Sequence, residues 1–444
     1  MDHTTSQKSA GEIAKAPASL RPGEKAGRNK LLFTSALLAV STFLILLARI
    51  EQPPFLFFDE SSYVAIARGL LNHNLPPLQS DSPVGRHHPL LGSYLIAAGM
   101  KIAGDNPLGW RLASVVAGAA TLVAIFLWTY VLIQDYWLAL FAAGLTFFNN
   151  FFYVMARVAM LDIFVFAFSM WGLLAFTAAV YSDLAVRTRR ILSAISGLAF
   201  GLAGACKWNA VDTFAVALVS GLLLFRLAQA PAAGWNKQLA KPAQNARRIG
   251  LPTLAFGLIV VPAATYLCVF SLIFHATHTE FLLHAVVRLH VLMFELTKGY
   301  VGNRAIASAW YSWPFRASPL RGLSYLMGNW VVMWGGLAAL GVALRRLYKS
   351  PALPEALLLA AYLANLLQWA VTPMKVQIYY YYFSSAMMLA PAIAVSLRRD
   401  APPRILGIRV SLLVMLAAMA FFLYCYPRMA HLEAPWDCMF GCWD

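Results

Sequence analysis

A succession of long apolar runs constrains this chain more than any other feature. They occupy residues 31–50, 111–133, 137–154, 162–181, 191–206, 210–227, 250–275, 323–344, 354–371, 378–397 and 409–426. A helix needs about 20 apolar residues to cross the hydrocarbon core of a bilayer. Backbone polar groups there have no water to bond, so helices are the natural solution. The runs predict an all-α, polytopic integral membrane protein with about 11 transmembrane helices. Composition agrees, since 60% of the 444 residues are apolar and only 12% are charged, against about 25% charged in soluble domains. The net charge of +16 would suggest nucleic acid in a soluble protein. Here the positions of the charges matter more than their sum, and no nucleic-acid partner is expected.

Residues 89–103 form a shorter apolar stretch interrupted by Lys101. If it crossed the bilayer, every later segment would invert, so the basic residues must decide. With 89–103 kept outside as a juxtamembrane or re-entrant helix and the N-terminus inside, the basic clusters fall in cytoplasmic loops. These hold Arg187, Arg189 and Arg190; Arg226, Lys237, Lys241, Arg247 and Arg248; Arg345, Arg346 and Lys349; and Arg398, Arg399, Arg404 and Arg409. The opposing short loops hold Arg157, Lys207 and Lys375. That asymmetry follows the positive-inside rule and predicts a cytoplasmic N-terminus and an outer C-terminus. Residues 1–30 read as a disordered cytoplasmic tail, 31–426 as the membrane domain with outer loops 51–110 and 276–322, and 427–444 as a short outer tail. Cys438 and Cys442 lie close together there and would pair if that end faces an oxidising compartment; the spacing alone leaves this open.

The predicted topology sends several charged segments to one face. Foremost is Asp59-Glu60, flanked by aromatic residues in a chain with only 19 acidic residues. Carboxylates beside hydrocarbon are costly to hold and read as functional by default. The plainer alternative is that they cap the helix starting near Ser61. Arg157 and Asp162 stand at a span entrance, as part of a site or as a structural ion pair. Lys207-Trp208 separates two runs, as a site element or as an interfacial anchor. Arg86, His87 and His88 precede the 89–103 helix. Adjacent histidines point different ways and match no metal-ligand spacing, so hydrogen bonding or phosphate contact suits them better. No cofactor is firmly expected, and a divalent metal is the weaker alternative. The loop 276–322 carries an amphipathic stretch, Glu280–Thr297, and then the aromatic string Ser308-Ala309-Trp310-Tyr311-Ser312-Trp313-Pro314.

Taken together these segments resemble the protein O-mannosyltransferase family, glycosyltransferase family 39, of the GT-C superfold. Asp59-Glu60 resembles the family's Asp-Glu pair in its first outer loop. His88-Pro89-Leu90-Leu91-Gly92-Ser93 resembles its HPPLGK, with Ser93 in place of the lysine. Arg157–Asp162 resembles its SR-x-x-LLD stretch, Gly197–Asn209 its GLALG…KW run, and Ser308–Pro314 its SxWxxWP string. The family's lumenal MIR-type domain has no counterpart, as in short bacterial members.

The resemblance implies transfer of a sugar, mannose by analogy, from a polyprenyl-phosphate donor to a hydroxyl acceptor with inversion, outside a bacterial inner (plasma) membrane. Asp59 would be the base, with Glu60 orienting the acceptor or tuning its neighbour, since close carboxylates push their pKa values apart. Arg157, Lys207, Arg86 and Lys375 would hold the donor phosphate. Asp162 would position Arg157, His88 and Trp208 would support the site, and Trp310 and Trp313 would flank the donor or cap the cavity. Two alternatives to transfer onto protein Ser/Thr stay open. One is a lipid or glycolipid acceptor, as in the aminoarabinose transferases of lipid A; the other is non-enzymatic transport of a lipid-linked sugar.

Overall fold

A computed structural model describes residues 22–56, 58–75, 87–229, 237–277, 280, 283–299, 306–316, 326–398, 404–405 and 408–430. The helices in chain order are α1 (Pro22–Leu47), α2 (Glu60–Leu71), α3 (Leu91–Ala103), α4 (Pro107–Ile133), α5 (Tyr136–Phe147), α6 (Asn150–Met155), α7 (Leu161–Tyr181), α8 (Val186–Cys206) and α9 (Trp208–Leu227). They continue as α10 (Lys237–Ile249), α11 (Leu251–Ala276), α12 (Leu283–Gly299), α13 (Trp330–Lys349), α14 (Leu353–Val371), α15 (Tyr379–Leu397) and α16 (Val410–Met429). Regular strand among the described residues is a two-residue pairing of Arg404–Ile405 with Ile408–Arg409. The protein is thus an all-α membrane protein. Among the described residues nine helices, α1, α4, α7, α9, α11, α13, α14, α15 and α16, are long and apolar enough to cross a bilayer.

Two of the eleven runs behave differently, for local reasons. The run 137–154 is divided at Asn149, whose Oδ1 accepts from the backbone N of Phe151 and so starts α6 afresh. The break exposes the carbonyl of Phe148, and Asn329 Nδ2 donates to it at 2.8 Å. The run 191–206 is lengthened at its start into α8, because Arg189 is buried there. Its guanidinium donates to the carbonyls of Ala179, Ser182 and Leu184 at the end of α7. Carbonyls in and just past the last turn of a helix lack the partner that a continuing helix would supply. α1 begins at Pro22, inside the stretch read as a polar tail.

Helix α3 has 13 residues, so at about 1.5 Å per residue it is shorter than a hydrocarbon core of about 30 Å. Elsewhere the helices approach closely: at Gly197 on α8, an added Cβ would lie 1.8 Å from the carbonyl oxygen of Gly257 on α11. Small residues permit such contact between membrane helices.

Long-range contacts sort the helix ends. One end of the bundle joins the C-terminus of α1 to Arg157, Asp59 to Tyr380, and Asp162 to Lys207. The other joins Lys241 to Asp183, Arg190 to Ile249, and Arg346 to Ser396. Of the segments that the sequence sends to one face, those carrying Asp59, Arg157, Asp162 and Lys207 meet at one end.

Candidate active site

At the first end lies a cavity of about 870 Å³, part of it open solvent, walled by residues of α2, α3, α12, α14 and the starts of α7, α9 and α15. Asp59, His87, His88, Ser93, Lys207, Tyr380 and Tyr381 line it, beside the apolar Leu161, Trp369 and Met374.

Asp59 occupies the N-cap position of α2, yet its side chain makes no capping hydrogen bond. Instead Tyr380 Oη donates to Asp59 Oδ2 at 2.5 Å. Burial pushes the Asp59 carboxyl above the usual carboxylate range, partly opposed by the Tyr380 hydrogen bond and the positive charge of Lys207. Such a carboxyl is a stronger proton acceptor than a solvated one. Burial and the nearby Lys207 charge hold His88 well below the usual histidine range, and burial alone lowers His87. Both effects favour the neutral imidazole of His88, which has one donor and one acceptor nitrogen.

Lys207 sits where the chain turns extended between α8 and α9. The residue is 6% exposed and lines the cavity. The ammonium donates to both oxygens of Asp162, at 3.0 and 3.1 Å. It also lies 5.0 Å from the ring centre of Tyr381 and 5.8 Å from that of Tyr380. Carboxylate and aromatic faces both favour a cation. Together they fix one positive charge at the cavity wall.

Other expected site residues are elsewhere. Glu60 is fully buried and turned from the cavity. Arg111 Nε and Nη2 donate to its two oxygens at 2.9 Å each, and the backbone N of Ala159 adds a third bond at 2.8 Å. This sealed pair locks the first outer loop to α4. Arg157 is also diverted: its guanidinium donates to the carbonyls of Leu46, Ala48 and Arg49, at 2.6, 2.6 and 2.9 Å. Those carbonyls end α1, so Arg157 works as a helix cap and does not line the cavity. Burial lowers its guanidinium from the usual range. Asp162 accordingly holds Lys207 in place of Arg157.

Trp208 lies behind Lys207, its ring stacked on His290 with 5.7 Å between centres while Nε1 donates to Tyr266 Oη. Trp313 is buried against Trp369, Tyr381 and Tyr382 and donates to Ser308 Oγ; it backs the cavity wall without lining it. Trp310 packs beside Tyr311. Lys375 is exposed, next to the lining Met374. Arg86, Cys438 and Cys442 lie outside the described residues. Among the described residues no three His, Cys, Asp or Glu side chains gather as a metal would require.

Sequence reasoning missed Arg111, Tyr380, Tyr381 and Trp369. Arg111 had a signal, being a charge at the edge of a long apolar run. The run Tyr379-Tyr380-Tyr381-Tyr382 was equally visible at the start of a span.

A family model for dolichyl-phosphate-mannose-protein mannosyltransferase matches residues 36–278. No curated protein matches the chain at a significant level. Solved structures do. The S. cerevisiae protein O-mannosyltransferase Pmt1-Pmt2 complex, bound to the sugar donor, aligns with a TM-score of 0.74 at 14% identity, over 94% of this chain and 92% of that one. ArnT from Cupriavidus metallidurans, bound to undecaprenyl phosphate, gives 0.57 at 16% identity, over 91% of this chain and 66% of that one. The oligosaccharyltransferase AglB from Archaeoglobus fulgidus, in complex with an inhibitory peptide and a dolichol-phosphate, gives 0.51 at 15% identity, over 89% and 56%. At these identities the likeness establishes the GT-C fold.

Proposed function

The chain belongs to the dolichyl-phosphate-mannose-protein mannosyltransferase family, and from that premise we propose that it transfers mannose from a polyprenyl-phosphate donor to a Ser or Thr hydroxyl of a protein. The observation that carries the reading is one cavity lined by both a half-buried carboxyl, Asp59, and a fixed cation, Lys207. Asp59 takes the proton from the acceptor hydroxyl as its oxygen attacks the anomeric carbon. The bond from that carbon to the donor phosphate breaks, and its electron pair leaves with the phosphate. Lys207 meets the negative charge that develops there. Attack opposite the leaving group inverts the anomeric centre, and the Asp59 carboxylate also favours an oxocarbenium-like transition state.

The site faces outward from a bacterial inner membrane in this reading. Its support is the basic character of the opposite end, where Arg189, Arg190, Lys241 and Arg346 gather. A cysteine replacing Lys101, in a cysteine-free background, should react with an impermeant reagent from outside; reaction only after permeabilisation overturns the orientation.

The function is tested by giving purified protein a labelled polyprenyl-phosphate mannose with either a Ser/Thr peptide or a lipid acceptor. Label on the peptide is expected. Label on lipid alone overturns the protein acceptor, and no transfer to either despite donor binding overturns the enzyme reading.

A further inference from the structure

We infer that Tyr380 is a positioning residue that holds Asp59 with one oxygen engaged and the other presented to the acceptor. The inference rests on the reading of Asp59 as the base. Tyr380 opens α15, 321 residues after Asp59 in sequence, and its hydroxyl donates to Asp59 Oδ2 at 2.5 Å. Among the described residues Oδ1 has no hydrogen-bond partner. A carboxylate tethered at one oxygen keeps its second in a defined direction, so the acceptor proton has a single destination.

The same ring has a second task. Its face lies 5.8 Å from the Lys207 ammonium, and its edge meets Tyr381 at 4.6 Å between centres, interplanar angle 78°. Lys207 in turn is gripped by Asp162. Tyr380 therefore touches the base through its hydroxyl and the cation through its ring. Base and phosphate contact are held in register by one rigid side chain with few rotatable bonds. Reaction requires both at once, because the acceptor attacks on one side of the sugar while phosphate leaves on the other.

Removing only the hydroxyl separates the two tasks. Tyr380→Phe keeps the ring over Lys207 and the packing on Tyr381. A hydrogen bond to a charged group typically contributes a factor of about 10–100, so kcat should fall by about that much with the donor KM unchanged. The pH–rate profile supplies a readout that a merely structural role would not move. The groups facing Asp59 are Tyr380, Lys207, Asp162, Tyr63 and His88, and of these Tyr380 and Lys207 favour its ionised form. Loss of the Tyr380 donor leaves ionised Asp59 less stable, so the acidic limb of kcat should move to higher pH. Replacing Tyr380 by 3-fluorotyrosine keeps the shape and strengthens the donor, and should move that limb to lower pH. It also serves if Tyr380→Phe fails to fold.

Tyr379→Phe, one residue away and outside the cavity lining, is the control expected to keep wild-type turnover. An acidic limb unmoved by either substitution at Tyr380, with Asp59→Asn inactive, overturns the positioning role and leaves the base assignment standing. Full turnover by Asp59→Asn instead overturns the reading of the site itself.

Discussion

Asp59 and Glu60 are neighbours in sequence and opposites in the structure. Glu60 is sealed, both oxygens held by Arg111 and a backbone N–H. Asp59 faces the cavity, tethered at one oxygen by Tyr380. Successive residues at the start of a helix differ by about 100° in direction, so one carboxylate can enter a site while the next enters the core. A pair of acids in a membrane protein is thus two separate problems in charge stabilisation. Lys207 and Arg157 repeat the contrast with the sign reversed. Both are nearly buried, but Lys207 is held at a cavity wall and Arg157 is spent on the last carbonyls of α1.

Amide substitutions at the acidic pair break the comparison most directly. Asp59→Asn should lower turnover by about 10²–10⁴-fold, the usual worth of a general base, with thermal stability in detergent unchanged. Glu60→Gln should do the reverse. It leaves the Arg111 charge buried without a counter-charge, at a cost of about 3–5 kcal/mol, read as a fall in unfolding temperature and yield. A stable Glu60→Gln protein that has lost turnover as Asp59→Asn has would put Glu60 back in the chemistry.

The cationic pair gives smaller effects. Lys207→Met should raise the donor Kd by about one to two powers of ten, and it leaves Asp162 buried alone. Adding Asp162→Asn should therefore recover stability but not donor affinity, a non-additivity expected of residues in direct contact. Recovery of donor affinity in the double variant would remove Lys207 from the phosphate site. Arg157→Lys should lose part of the α1 cap, costing about 1–2 kcal/mol of stability, with the donor Kd unchanged. A tenfold weaker donor in that variant would mean that Arg157 reaches the phosphate after all.

Much of the architecture was legible because it depends on quantities that add along the chain. Apolar run lengths marked the spans, and Lys and Arg asymmetry sent Asp59, Asp162 and Lys207 to one end. Boundaries were less legible. The break at Asn149 needs a distant Asn329 to satisfy the freed carbonyl of Phe148, and α8 starts early because Arg189 finds carbonyls at the end of α7.

By itself the sequence determined a helical membrane protein with an acidic, basic and aromatic set collected at one end of its bundle. Hydrophobicity and charge suffice for that, since the bilayer sorts segments by burial cost and by the charge of the loops that join them. Only the tertiary structure decided which charge faces which. Glu60 meets Arg111 across 51 residues, Lys207 meets Asp162 across 45, and Asp59 meets Tyr380 across 321. A buried charge takes whichever partner offers the best-directed hydrogen bonds. That choice depends on distances between helices, which no residue pattern along one chain records.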